Sequence, residues 1–180
     1  MNDEVGDKGE DAFRDKCNKW GCEFLFISQE PGFDMSEKIR KSDEKRPDFV
    51  LTVPYIGPIL VDVKTTKKSD RAGRDRTNSF RVILGEHDKL KRLEKEMNMR
   101  IWYAFFERKE DWSLVDDTVY FIPLARVDGY LNLTDAAASR ARGYVYVPLN
   151  CMNKCTVELQ LHNLCAPCSR RAQCFPVGLQ

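Results

Sequence analysis

The sequence predicts a mixed α/β domain, a central sheet flanked by helices. Three observations predict it: an amphipathic stretch at the start, two apolar runs split by a Pro/Gly turn, and a strand, helix, strand succession between residues 80 and 106. The 180 residues, 42% hydrophobic and 32% charged, can bury one sound core and leave no room for a second full domain.

Val5, Ala12, Phe13, Cys17 and Trp20 recur at roughly helical spacing and predict a helix over residues 3–20. Phe24 to Ser28 reads as the first strand, and Gln29 to Lys45 as a polar connection. Phe49 to Val53 and Ile59 to Val63 flank Pro54-Tyr55-Ile56-Gly57-Pro58, whose Pro and Gly residues favour a turn, so the two runs form a hairpin. With Pro54 opposite Pro58, Asp48 faces Lys64 and lies diagonally from Asp62. Phe80 to Leu84 is a short strand. Leu90, Leu93 and Met97 mark a helix over 86–97, and Ile101 to Phe106 is a buried strand. Thr118 to Ile122 and Tyr144 to Leu149 are further strands, with one helix from about Leu124 to Arg142 between them. Residues 1–149 are then the core and 150–180 a cysteine-rich tail.

The hairpin carries the chemistry. Period-2 alternation puts Asp48, Asp62 and Lys64 on one face of the sheet and sends Val61 and Val63 to the other. Two neighbouring carboxylates repel each other unless a cation lies between them, and hard oxygen ligands suit Mg²⁺ or Mn²⁺. An ammonium two residues after the second acid points at the same place, where it can orient water or stabilise charge developing on a phosphate. The plain alternative is a solvated strand face with an ordinary ion pair. Two facts weigh against it: Asp48 opens a strand that otherwise reads as buried, and a third acid, Glu10, stands beside the helical stripe of Phe13 and Cys17.

In order and context, these residues resemble the PD-(D/E)XK nuclease superfamily, whose core is a helix with a glutamate, strands bearing Pro-Asp and Asp-x-Lys, then a helix and another strand. Glu10 matches the helical glutamate, Asp48 the Pro-Asp acid, Asp62 the second acid and Lys64 the lysine, and the likeness spans about residues 3–107. It implies a restriction-endonuclease-like fold and Mg²⁺-dependent hydrolysis of DNA phosphodiester bonds to 5′-phosphate products. Within the superfamily, the Gly-Glu-x-x-Phe helix and compact size look most like archaeal Holliday-junction resolvases and small restriction-type enzymes, in which a homodimer is one common arrangement. A reading from another class keeps the nuclease-like fold as a nucleic-acid-binding module that does not cut.

A net charge of +1 gives no global attraction to DNA, so any binding surface must be local. Lys64, Lys67, Lys68, Arg71, Arg74 and Arg76 leave the hairpin as a basic loop suited to backbone phosphates, and Arg40, Lys41, Lys45 and Arg46 precede Asp48, diluted by Asp43 and Glu44. His87 is expected to be an exposed helix-start residue with no role. The apolar runs are too short to span a membrane and the polar start is unlike a signal peptide, which predicts a cytoplasmic protein.

Cys151, Cys155, Cys165, Cys168 and Cys174 crowd the tail, and in a reducing compartment such clusters hold metals rather than disulfides. Cys151-x3-Cys155 and Cys165-x2-Cys168 can supply a tetrahedral structural Zn²⁺, with His162 or Cys174 able to replace one ligand. Alternatively, Cys165-x2-Cys168-x5-Cys174 resembles the trailing triplet of RecB-like nucleases, which implies a [4Fe-4S] cluster with Cys17 or Cys22 as fourth ligand. The chain lacks the Cys-Pro-x-x-Phe context and the histidine motif of those enzymes. Unligated thiols, or a tail that docks a protein, are the remaining readings.

Overall fold

The computed structural model describes residues 3–27, 45–53, 56–67, 78–111, 113–133 and 136–155. Helix α1 (Asp3–Lys19) precedes strands β1 (Phe24–Phe26), β2 (Phe49–Val53), β3 (Gly57–Thr66) and β4 (Ser79–Ile83). Helix α2 (Leu84–Met97), strands β5 (Ile101–Arg108) and β6 (Leu114–Pro123), and helices α3 (Leu124–Leu133) and α4 (Ala136–Arg142) follow. Strand β7 (Tyr144–Pro148), a 3-10 turn (Leu149–Cys151) and β8 (Asn153–Cys155) complete the order.

Six strands make one sheet in the order β1-β2-β3-β5-β6-β8, and β4 and β7 make a separate antiparallel pair. Only β3 and β5 run parallel among the described pairings, because β4 and α2 carry the chain back across the sheet between them. Strand β5 is buried from Ile101 through Phe106, as a strand covered on both faces must be. One face carries Phe49, Leu51, Val61, Val63, Trp102, Ala104 and Phe106 against Phe13 and Cys17 of α1. The other carries Leu60, Tyr103, Phe105 and Ile122 against α2, α3 and the β4-β7 pair.

Local chemistry sets the element ends. Asn98 stops α2 in a left-handed conformation, φ 51°, and the Glu94 side chain turns back to accept the Ile101 N–H at 2.8 Å. Gly143, φ 76°, makes the corner from α4 into β7, and its carbonyl accepts the Leu84 N–H at 2.9 Å.

The mixed sheet and its flanking helices match expectation, with two differences. The helix expected over 124–142 is two helices, α3 and α4. The sheet also continues past residue 149: β8 pairs with β6, setting Val119 beside Cys155 and Phe121 beside Asn153. Residues 156–180, with Cys165, Cys168 and Cys174, lie outside the described residues.

Gly9 decides how close α1 comes to the sheet. A methyl group there would run into Thr65 Oγ1, with Val63 Cγ1 beside it at 3.5 Å. Gly9→Ala is expected to lower stability by about 1–2 kcal/mol, overpacking outweighing the helix propensity that alanine adds. In a Thr65→Ala background the same change should stabilise, so urea unfolding of the four proteins checks the contact.

Candidate active site

The hairpin turns one residue earlier than its prolines suggested. Phe49 pairs with Val61, Thr52 with Pro58 and Val53 with Gly57, so the register is shifted by two residues from one that sets Pro54 against Pro58. Gly57, φ 91°, is the cause: glycine accepts this conformation, so the turn ends there and Gly57 joins the strand. A two-residue shift preserves the faces but changes the partner. Continued one step past Phe49, this register sets Asp48 against Asp62 rather than Lys64, and the Asp48 backbone N–H donates to the Val61 carbonyl at 2.9 Å.

Both acids are buried, Asp48 with 7% and Asp62 with 0% of its surface exposed. Asp48 Oδ2 accepts the Val63 N–H at 2.6 Å, which fixes that carboxylate on the β3 backbone. Asp62 is held by charge instead. Lys45 Nζ lies 3.0 Å from its Oδ1 and Lys64 Nζ 2.9 Å from its Oδ2. Neither contact has the alignment of a hydrogen bond, and among the described residues both oxygens of Asp62 lack one. The same ammoniums meet Glu86 Oε2 in the first turn of α2, Lys45 at 2.8 Å and Lys64 at 3.1 Å. Two lysines and two carboxylates thus form a closed square on the face of the sheet away from α1.

Burial is the largest influence on Asp48 and, with repulsion from Asp62, pushes its carboxyl up to about 7; the Val63 N–H works the other way, and Glu10 adds repulsion. Burial alone would lower the Lys64 ammonium, but the Asp62 and Glu86 carboxylates outweigh it and raise it above the usual lysine range. Lys64 is therefore a fixed cation. From there it can orient water or stabilise an anion. For Glu86, burial acts upward and is overcome by Lys64 and Lys45, which hold the carboxyl down at about 2.

Glu10 is half-buried on α1, where its charge reaches Asp48. Among the described residues, no three His, Cys, Asp or Glu side chains gather closely enough to cage a metal ion. The donor set nonetheless fits a hard divalent ion that keeps most of its water: two carboxylates beside each other, one with both oxygens short of hydrogen bonds and the other destabilised by its neighbour's charge.

Beside Lys64 lies a cavity of about 140 Å³, walled by Lys64, Thr65, Thr66, Arg81, Glu86 and Tyr103. Sequence reasoning overlooked Glu86 and Arg81 and placed Lys45 only in a diluted basic cluster. Of the basic loop, Lys67 pairs with Glu110, while Lys68, Arg71, Arg74 and Arg76 lie outside the described residues.

His87 is buried, 0% exposed, which corrects the expectation of an exposed residue. Its Nδ1 lies 3.1 Å from the Tyr103 hydroxyl and its Nε2 3.2 Å from Asp128 Oδ1, which also receives Lys91 Nζ at 2.9 Å. The Asp128 carboxylate can only accept, so Nε2 donates to it, and in the neutral imidazole Nδ1 accepts from the Tyr103 hydroxyl. The chain of bonds ties α2 to β5 and α3, under the floor of the site.

Cys151 and Cys155, expected to share a Zn²⁺, are not brought together: Cys151 packs into the core on the α2 side of the sheet and Cys155 into the core on the α1 side. The pairing of β8 with β6 separates them. Burial pushes the Cys17 thiol up to about 12, with Cys22 adding to it, and raises Cys22 as well. Among the described residues neither forms a disulfide.

No protein-family model matches the chain, and no curated protein matches it. Among solved structures it is similar to Hjc of Archaeoglobus fulgidus, a Holliday junction resolvase from an archaeal hyperthermophile. The two share 12% identity at a TM-score of 0.43, over 67% of this chain and 78% of that one.

Proposed function

We propose that this protein is a divalent-metal-dependent nuclease that hydrolyses DNA phosphodiester bonds. The observation that carries the reading is the burial of Asp48 beside Asp62, where burial and the Asp62 charge work against the ionised Asp48 carboxyl and a cation would reconcile the pair. Asp48 and Asp62 would hold Mg²⁺ or Mn²⁺, with Glu10 adding negative charge from α1, and the bound ion would polarise the phosphate and lower the pKa of its water. The chain's own contribution is charge and position. Lys64, kept cationic by Asp62 and Glu86, stabilises negative charge on the phosphate, and Lys64 and Arg81 give the adjoining cavity two cations for the nucleic-acid backbone.

The test is cleavage of plasmid, single-stranded and four-way-junction DNA in Mg²⁺ by wild type, Asp62→Ala and Lys64→Ala. Loss of cutting in both variants is expected; equal cutting by all three proteins removes the mechanism. One observation favours a non-cutting nucleic-acid-binding protein with the same fold: Lys45 and Lys64 already neutralise Asp62 and Glu86 without any metal. That reading predicts DNA binding unaffected by Mg²⁺ and retained in Asp62→Ala.

A further inference from the structure

Lys45 lies 3.0 Å from Asp62 Oδ1, on the carboxylate where a bound cation is needed, yet it belongs to none of the motif positions. Its side chain is only 24% exposed, and its ammonium also touches Glu86 at 2.8 Å. Asp62 therefore has two counter-ions, Lys45 on Oδ1 and Lys64 on Oδ2, and Glu86 bridges both. A divalent ion bound through Asp62 Oδ1 cannot share that oxygen with an ammonium at 3.0 Å, because the two cations would repel at contact distance.

We propose that Lys45 is an exchangeable internal cation: it occupies Asp62 in the metal-free protein, and a divalent metal ion binds by displacing it onto Glu86. The exchange needs only a small movement, since Glu86 already holds the ammonium and loses nothing when Asp62 lets go. Lys64 keeps its place on Oδ2 and Glu86, so its orientation does not depend on whether metal is bound. The device makes the pair of acids tolerable before metal arrives and sets the affinity at which metal enters. This rests on the metal-binding reading of Asp62 given above.

The experiment is calorimetric titration of the full-length, metal-free protein with MgCl₂ and MnCl₂ at fixed pH and ionic strength, comparing wild type, Lys45→Met, Lys45→Gln, Lys45→Arg and Asp62→Asn. Removing the competitor should tighten binding about tenfold in Lys45→Met and Lys45→Gln, with Lys45→Arg close to wild type. A residue that only supports the fold would weaken binding when removed, so the direction separates the two roles. Thermal unfolding adds a second readout: Lys45→Gln should melt lower than wild type without metal and recover more of its Tm when Mg²⁺ is added. Binding that depends on Asp62 but is equal or weaker in both neutral variants overturns the exchange alone. Failure of every protein to show Asp62-dependent binding overturns both the exchange and the metal site.

Discussion

Asp62→Ala is expected to slow DNA cleavage in Mg²⁺ by about a thousandfold or more, with Lys64→Ala about a hundredfold slower than wild type. The difference follows from what each side chain supplies. Asp62 is one of the two carboxylates that would hold the ion, so its loss would remove several kcal/mol of transition-state stabilisation, and each 1.4 kcal/mol is tenfold in rate. Lys64 is one charged donor at about the strength of a single oxyanion contact, and Arg81 and Lys45 remain nearby to compensate in part. Lys64→Arg should recover some activity if Lys64 acts as a cation, because guanidinium keeps the charge. If Lys64 served as a base, arginine would be as inactive as alanine. Single-turnover rates at saturating DNA for the four proteins decide it, and Asp62→Ala within tenfold of wild type would end the metal-anchored mechanism.

The faces of the hairpin were legible because alternation survives an error that the partner assignment does not. A two-residue slip changed every cross-strand partner, yet Asp62 and Lys64 stayed on the face opposite Val61 and Val63, since the side-chain period is two. The slip itself came from Gly57, whose positive φ belongs to the turn and whose pairing belongs to the strand, a double role that composition does not announce.

Lys45 and Glu86 were not legible, because each is separated from its partners by a stretch of chain that only the folded sheet closes: the two residues stand 41 positions apart and meet at 2.8 Å. His87 was readable in principle. Leu84, His87, Leu90 and Leu93 fall at intervals of three on α2 and are all buried, but a helix begun at Glu86 omits Leu84 and makes the histidine look terminal. Strand β8 carries almost no local signal, since Asn153-Lys154-Cys155 is a poor strand sequence and forms by finding an edge on β6. Its formation also places Cys151 and Cys155 in different cores, something no cysteine spacing reveals.

Asp48→Asn should stabilise the metal-free protein at pH 8 while abolishing its response to Mg²⁺. In the folded chain the Asp48 carboxyl titrates at about 7, against 3.8 for the ordinary group, so the folded state binds the proton more tightly than the unfolded one. Stability from this site therefore falls as pH rises from about 4 and is lowest above 7, where burial beside Asp62, with Glu10 across on α1, works against the ionised form. A shift of roughly three units corresponds to at most about 4 kcal/mol, the ceiling on what a neutral isostere can recover. Asparagine keeps the acceptor for the Val63 N–H, so the backbone contact survives the change. Glu86 contributes with the opposite sign: its carboxyl is held at about 2 by Lys64 and Lys45 despite burial, so its stabilisation is complete above 4.5 and lost as pH falls toward 2. Urea unfolding in EDTA at pH 4, 6 and 8 should show wild type losing stability across that range and Asp48→Asn holding nearly level, the two converging near pH 4. Added Mg²⁺ should restore wild type at pH 8, bind more weakly by up to tenfold per unit below pH 7 because it must expel the Asp48 proton, and leave the asparagine variant unchanged. Parallel pH curves for the two proteins would show that Asp48 is not the strained partner of Asp62, and the case for a cation between them would lose its main physical support.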